Sequence, residues 1–78
     1  MTNVSIEFYG LLVEIVGKKI LTLENINNTD DLRVQLENMF PKMEGQEYII
    51  AINNKITNTN SKIDSNQIVA CMPPFAGG

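Results

Sequence analysis

The stretch Thr29-Asp30-Asp31-Leu32-Arg33-Val34-Gln35-Leu36-Glu37-Asn38-Met39-Phe40-Pro41 decides the fold of this chain. It predicts one amphipathic helix of about three turns, because its apolar residues recur at helical spacing. Thr29 is the predicted N-cap, the two aspartates after it suit the positive end of the helix dipole, and Pro41 ends the helix. The predicted apolar stripe consists of Leu32, Leu36, Met39 and Phe40. A single stripe of this kind needs a sheet on which to pack.

Two strands are predicted before this helix. Residues Val4–Tyr9 alternate between apolar and polar, which indicates a strand with one buried side. Residues Lys18–Leu23 alternate again and predict a second strand. Between them, Leu11–Val16 has the apolar spacing of a short helix, which Gly17 stops. The predicted buried side of the first strand carries Val4, Ile6 and Phe8.

Three more strands are predicted after the helix. Residues Tyr48–Ile52 and Lys55–Thr57 form a hairpin, and Asn53-Asn54 is its type I′ turn because Asn tolerates positive φ. Residues Gln67–Met72 form the last strand. Two apolar residues are expected to anchor polar connections: Ile26 before the helix, and Ile63 in the Asn-rich loop 58–66.

This order of elements predicts an α+β fold. A hairpin-like pair, a helix, a hairpin and a final strand are the parts of the β-grasp, the fold of ubiquitin. We expect a mixed sheet of four to five strands packed on one main helix. Residues 1–72 would form this domain and residues 73–78 a flexible tail.

Composition limits the classes of function. With 78 residues the chain has room for one domain, and folding buries only about 60% of the surface of so short a chain. The six Lys and Arg residues are scattered and the net charge is −3, so a nucleic acid is not an expected partner. Apolar runs such as 10–13 are too short to span a bilayer, and residues 1–4 do not resemble a targeting signal. We therefore expect a cytoplasmic protein without a membrane partner.

The absence of histidine narrows the chemistry further. The chain has no His and a single cysteine, Cys71, which excludes an intramolecular disulfide, a multi-Cys metal site and Ser-His or Cys-His catalysis. Cys71 is expected to be a buried core residue, because no cationic residue near it in sequence would lower its pKa. The side chains of this protein are therefore not expected to catalyse a reaction.

The last six residues, Pro73-Pro74-Phe75-Ala76-Gly77-Gly78, carry the strongest functional signal. Proline fixes φ and has no N–H, so Pro73-Pro74 halts the last strand and starts an extended segment. Gly77 and Gly78 have no side chain and fit a channel too narrow for a Cβ. At about 3.3 Å per residue the six residues reach roughly 20 Å, far enough to enter the active site of a neighbouring enzyme. The competing interpretation is an ordinary frayed terminus.

Taken together, these motifs resemble the MoaD/ThiS family of small sulfur carriers, and within it the small subunit of molybdopterin synthase. The resemblance covers nearly the whole chain, and its most specific part is the strand-Pro-Pro-x-x-Gly-Gly ending. Thiamine-branch carriers are similar but generally lack the paired prolines. The matching segments are Ile6–Gly10, the helix containing Leu32 and Leu36, Ile50–Asn54, and Val69–Gly78.

The resemblance implies a sulfur-donating subunit with no active site of its own. An E1-like activating enzyme would use ATP to adenylate the Gly78 carboxylate, and sulfur would then replace the adenylate to give a thiocarboxylate. The large catalytic subunit of molybdopterin synthase, in a heterotetramer, would use this sulfur to convert a pyranopterin precursor during molybdenum cofactor biosynthesis. The chain itself would bind no cofactor and no metal.

The resemblance also assigns roles along the tail. Gly78 would be the modified residue, Gly77 the residue that gives clearance, and Pro73 and Pro74 would aim the tail. Ala76 lies between, and Phe75 would anchor the tail against a partner or pack back on its own sheet. Outward-facing residues of the last strand, with residues from the end of the first strand, are expected to form the partner surface: Phe8, Tyr9, Ile68, Ala70, Met72 and Phe75.

One departure and three alternatives remain. Where the family often has an acidic, Gly-containing turn before the final strand, this chain has Asp64-Ser65-Asn66-Gln67, in which Asn66 can adopt the left-handed conformation of the glycine. The first alternative is a ubiquitin-like modifier that forms isopeptide bonds through Gly78. The second is a thiamine-pathway carrier. The third is a plain interaction domain whose Gly-Gly ending has no role.

Overall fold

Strands and helices follow one another along the chain in the order that the sequence predicts. The computed structural model describes residues 3–74. The strands are β1 (Asn3–Phe8), β2 (Ile20–Glu24), β3 (Ile49–Ile52), β4 (Lys55–Ile56) and β5 (Val69–Met72). The helices are α1 (Leu11–Val16) and α2 (Thr29–Met39), and a short 3₁₀ helix follows at Pro41–Met43.

The strands form one mixed sheet of five strands in the order β2-β1-β5-β3-β4. β1 and β5 are parallel at its centre, and the other neighbours are antiparallel. The α+β prediction is therefore confirmed, with the fifth strand present as the two-residue β4. Because β5 comes last in sequence and lies in the middle, the chain leaves the sheet from its centre.

The core lies between one face of the sheet and α2. The predicted alternation of β1 is confirmed, since Val4, Ile6 and Phe8 are buried. Leu32 and Leu36 of α2 are fully buried against them. Ile26 and Ile63 are buried as well, which confirms both predicted loop anchors.

Two details of α2 differ from the prediction. The N-cap is Asn28, whose side chain accepts a hydrogen bond from the backbone N–H of Asp31, and Thr29 is the first helical residue. Met39 does not belong to the buried stripe, because it is 44% exposed, and Phe40 is only partly buried. The helix ends at Met39, and Pro41 begins the 3₁₀ helix, so Phe40 lies outside α2 and does not continue its stripe.

Asparagines occupy the positions that need positive φ. Asn53 and Asn54 have φ of 50° and 70°, which confirms the conformation that a type I′ turn requires. Asn25, in the connection before α2, has φ of 63°. Asn66, which could adopt the left-handed conformation, does not have positive φ, so the turn before β5 forms without a left-handed residue there.

The Asn-rich loop is fastened to the start of α2. The Thr29 N–H donates to the Ser61 carbonyl at 2.9 Å, and the Ile63 N–H donates to the Asn27 carbonyl at 2.9 Å. The Thr29 hydroxyl accepts a hydrogen bond from the Ser61 N–H at 3.0 Å. This long loop therefore has a defined path although it contains no regular strand.

Tyr48 connects α2 to the start of β3. Its hydroxyl donates a hydrogen bond of 2.7 Å to Glu37, and the Arg33 guanidinium lies 4.8 Å from the centre of its ring. Burial and the hydrogen bond to Glu37 raise the pKa of Tyr48 well above its usual range. The neutral phenol is therefore the form that the fold stabilises.

Candidate functional site

The site begins where β5 ends. The parallel pairing of β1 with β5 runs from Ile6 opposite Val69 to Phe8 opposite Cys71. The Tyr9 N–H donates to the Cys71 carbonyl at 3.1 Å, which extends this pairing by one bond. Pro73 has no N–H to continue it, so the strand ends at Met72 as the sequence predicts.

The two prolines differ in their surroundings. Pro73 is buried and Pro74 is exposed. Pro73 packs against Gly10, where an added Cβ would lie 3.2 Å from Pro73 Cγ and 3.5 Å from Cδ. Pro73 is therefore packed against the body of the domain. The predictions for the rest of the tail, namely Phe75, Ala76, Gly77 and Gly78, lie outside the described residues.

The sheet face opposite α2 is open. Side chains that point to this face occupy paired positions across the sheet, because Glu7 lies opposite both Ile20 and Ala70, and Ala70 lies opposite Ala51. A shallow groove crosses this face beside the end of β5. It is lined by Glu7, Tyr9, Ala51, Asn54, Ile56, Ile68, Ala70 and Met72.

Four of the predicted partner residues line this groove. Ile68 is 58% exposed and Tyr9 is 46% exposed, whereas Ala70 and Met72 are half-buried. Val69 and Cys71 face α2 and are fully buried, as expected for the alternating positions of β5. The structure therefore brings the end of β1 and the outward side of β5 together beside the exit of the tail.

Phe8 requires a correction. Only 3% of its surface is exposed, because it points to the α2 side of β1 with Val4 and Ile6. It is a core residue and is not available on the open face. The alternation of β1 already placed it on the buried side, and its neighbour Tyr9 is the residue that reaches the groove.

Several residues of the open face were not predicted from the sequence. Ile56 and Ile20 are exposed apolar residues of β4 and β2, and Glu7 lies between them in β1. Alternation within each strand indicated their direction. Strand pairing, which the sequence analysis did not assign, is what places them in one surface.

Tyr9 is held by its neighbour on the same face. Its hydroxyl donates a hydrogen bond of 2.8 Å to Glu7 Oε1. This hydrogen bond, together with the negative charge of Glu7, raises the pKa of Tyr9. Tyr9 thus presents a neutral aromatic ring to the groove, with its polar end already partnered.

Cys71 is not available for sulfur chemistry at neutral pH. It is fully buried in the central strand, and burial raises the pKa of its thiol to about 12. The thiolate is the reactive form of cysteine, so a buried thiol of this pKa is inert near pH 7. The expectation of a core cysteine is confirmed.

Within residues 3–74, no group of three or more His, Cys, Asp or Glu side chains is placed to hold a metal ion. In the same part of the chain, neither helix is long and apolar enough to cross a membrane.

The sheet order and the central position of β5 define a ubiquitin-like β-grasp protein whose central strand leads directly into its C-terminal segment. The sequence matches the model of the ThiS family over residues 6–78. The chain therefore belongs to the ThiS family, in the MoaD/ThiS group of small sulfur carriers. No curated protein matches the sequence.

Solved structures share the fold at low sequence identity. Putative molybdopterin converting factor subunit 1 from Pyrococcus furiosus superposes with a TM-score of 0.84 at 14% identity, over 95% of this chain and 99% of that one. Small archaeal modifier protein 1 from Methanosarcina acetivorans has a TM-score of 0.80 at 18% identity, over 100% and 98%. Small archaeal modifier protein 1 from H. volcanii has a TM-score of 0.80 at 13% identity, over 95% and 99%. At these identities the likeness concerns the fold.

Proposed function

We propose that this chain is the sulfur-carrier subunit of molybdopterin synthase, acting in molybdenum cofactor biosynthesis. The observation that carries the proposal is the position of β5. This central strand runs into Pro73-Pro74, the start of the Pro-Pro-x-x-Gly-Gly ending, beside an open apolar face. Membership of the ThiS family supports a carrier, and the paired prolines favour the molybdopterin branch over the thiamine branch.

The proposed chemistry takes place at the Gly78 carboxylate. A carboxylate is a poor electrophile, so an E1-like enzyme first joins its oxygen to the α-phosphorus of ATP, and pyrophosphate leaves. Sulfur at the oxidation level of hydrosulfide then forms a C–S bond at the acyl carbon, and AMP leaves with the oxygen. The thiocarboxylate sulfur next attacks a carbon of the pterin precursor and displaces an oxygen leaving group, after which water cleaves the acyl C–S bond, restores the carboxylate and leaves the sulfur on the precursor.

In this proposal the chain supplies binding and delivery, and its partners supply catalysis. The open face, on which Ile68, Ile20 and Ile56 are more than half exposed, would bind the activating enzyme and the large catalytic subunit in turn. Gly77 and Ala76 would let the tail enter both active sites, and Phe75 would anchor it there. We expect a heterotetramer with the large subunit, in the cytoplasm, with ATP used by the activating enzyme and no cofactor held by this chain.

The intact mass of the purified chain tests this proposal. The chain is incubated with ATP, a sulfur donor and the carrier-activating enzyme of the same cell. We expect a mass increase equal to the replacement of one oxygen by sulfur, located at Gly78 and absent when Gly78 is deleted. An unchanged mass would contradict the proposal if the same enzyme preparation activates another carrier protein in a parallel reaction.

A ubiquitin-like protein modifier is the second candidate. Its support is the full-length likeness to small archaeal modifier protein 1 from Methanosarcina acetivorans, which covers 100% of this chain. A modifier forms an isopeptide bond between Gly78 and a lysine and releases AMP from the same adenylate. Covalent adducts that contain this chain and vanish on deletion of Gly78 would favour the modifier. A free thiocarboxylate without adducts favours the carrier.

A further inference from the structure

Gly10 and Pro73 meet at the end of the central strand pair. They lie two residues beyond Phe8 and Cys71, which are opposite each other in the parallel register of β1 and β5. Gly10 also precedes α1, and its carbonyl accepts a hydrogen bond of 3.1 Å from the Val13 N–H. The Pro73 ring therefore rests on the junction between β1 and α1.

Only glycine fits this junction without strain. Gly10 has φ of 58° and ψ of −137°, a backbone conformation that residues with a Cβ rarely adopt. A Cβ at this position would also lie 3.2 Å from Pro73 Cγ, closer than ordinary van der Waals contact. The proline ring is tied to its own backbone at both ends, so it moves away only if the chain at Pro73 moves with it.

Gly17 offers the matched comparison. It also has positive φ, at 83°, but a Cβ added there would meet nothing within 4 Å. It lies at the other end of α1, where it caps the helix. The two glycines thus share a need for positive φ, and only Gly10 contacts the segment that leads into the tail.

We propose that Gly10 is a positioning residue for the C-terminal carboxylate. Its bare backbone forms a seat for the Pro73 ring, and the seat sets the direction in which the chain leaves the sheet at Pro74. The inference rests on the proposed function, because a fixed direction matters only to an enzyme that must receive the tail.

The seat has a specific kinetic consequence. The activating enzyme binds the body of the carrier, so a displaced tail leaves KM for the carrier unchanged and lowers kcat. A partly unfolded variant behaves instead as a lower concentration of the same substrate, which raises apparent KM and leaves kcat unchanged. The two parameters therefore separate positioning from stability.

The first measurement is the ATP-dependent adenylation of Gly10→Ala and Gly17→Ala by the activating enzyme. We expect Gly10→Ala to lower kcat by about tenfold with KM within about twofold, because small misplacements of a reacting group have large effects on rate. Gly17→Ala should keep the wild-type kcat. A wild-type kcat for Gly10→Ala, or an equal loss for Gly17→Ala, would overturn the inference.

The second measurement needs no carrier chemistry. A nitroxide is attached to Ala76→Cys, while the buried Cys71 stays unlabelled, and the broadening of backbone amide signals by the nitroxide is mapped over the body. We expect Gly10→Ala to change the pattern of broadened amides and Gly17→Ala to preserve it. Pro73→Ala, which removes the ring without straining Gly10, should also change it and serves if Gly10→Ala does not fold.

The two measurements distinguish the possible failures. If the wild-type chain is not adenylated at all, the proposed function fails, and the nitroxide map still decides whether the seat exists. If Gly10→Ala and Pro73→Ala both keep the wild-type map, the seat does not direct the chain and the inference is wrong, whatever the kinetics of the wild type.

Discussion

Asn28 Oδ1 accepts a hydrogen bond of 2.8 Å from the backbone N–H of Asp31, and this bond begins α2. Asn28 itself has an extended backbone, with φ of −157° and ψ of 174°, as expected of an N-cap. Thr29 has a separate task, because its hydroxyl bonds to Asn60 and Ser61 of the Asn-rich loop. Adjacent residues thus cap the helix and fasten the loop.

Removing the cap should destabilise the domain. We expect Asn28→Ala to lower the free energy of unfolding by about 1 kcal/mol, because the Asp31 N–H loses its acceptor. Asn28→Asp keeps an acceptor oxygen at the same place and should stay close to the wild type. Urea unfolding of the three proteins measures the difference. Equal midpoints for Asn28→Ala and the wild type would contradict the role of this cap.

Two apolar residues of α2 should respond very differently to truncation. Leu36 is fully buried, whereas Met39 is 44% exposed. We expect Leu36→Ala to cost about 2–5 kcal/mol through the cavity that it leaves, and Met39→Ala less than about 1 kcal/mol. Urea unfolding measures both changes, and the midpoints can be compared directly when the free energy of unfolding falls with urea concentration at the same slope in each protein. A large loss for Met39→Ala would place Met39 in the core after all.

The same two residues mark how far the sequence predicts the fold. Period-two and helical spacing identified β1, α1 and α2, because each has one face against a single core. The hairpin was identified by its turn residues, Asn53 and Asn54. The stripe was overextended to Met39 because spacing alone does not locate the point at which a helix leaves the sheet. Thr29 was predicted as the cap in the place that Asn28 takes, because both residue types cap helices and the loop contacts that engage Thr29 are distant in sequence.

The candidate site was predictable only in part, because the sequence shows alternation within a strand but not the pairing between strands. Tyr9, Ile68, Ala70 and Met72 follow from alternation within single strands. Ile56 joins them only through the pairing of β4 with β3 and of β3 with β5. The contact of Gly10 with Pro73 depends on the parallel register of the first and last strands. Such long-range pairings leave no periodic signal in the sequence.

Alkaline pH should destabilise the protein through Cys71. Burial raises the pKa of its thiol to about 12, above the ordinary value of 9.0 that applies to the unfolded chain. Between these values the unfolded state releases a proton and the folded state does not. The contribution of the neutral Cys71 thiol to the free energy of unfolding is therefore fully present below pH 9.0 and is lost as pH rises toward 12. The fall should reach at most about 1.4 kcal/mol per pH unit.

Substitutions test which ionisable groups cause this pH dependence of stability. Cys71→Ala should reduce the slope of unfolding free energy against pH above the ordinary thiol pKa. The remaining slope, at still higher pH, belongs to the two tyrosines with raised pKa, Tyr48 and Tyr9, which act in the same direction. Tyr48→Phe should remove the larger share of it, because Tyr48 is buried and Tyr9 is at the surface. Chemical unfolding at a series of pH values measures both slopes. A wild-type slope in Cys71→Ala would show that another group is responsible.

The open face can be tested with two residues of equal exposure on opposite sides of the domain. Ile68 is 58% exposed beside the groove, and Val34 is 60% exposed on α2, which covers the other face of the sheet. An aspartate at either position is solvated in the free protein, so neither variant should alter folding strongly. At an apolar interface, however, the carboxylate loses water without gaining a partner.

We therefore expect Ile68→Asp to raise KM for the carrier by about tenfold in adenylation, with kcat nearly unchanged, and Val34→Asp to match the wild type. Equal KM values for the two variants would mean that the activating enzyme does not bind this face, whereas a loss in kcat alone would place the effect of Ile68 on the tail and not on docking.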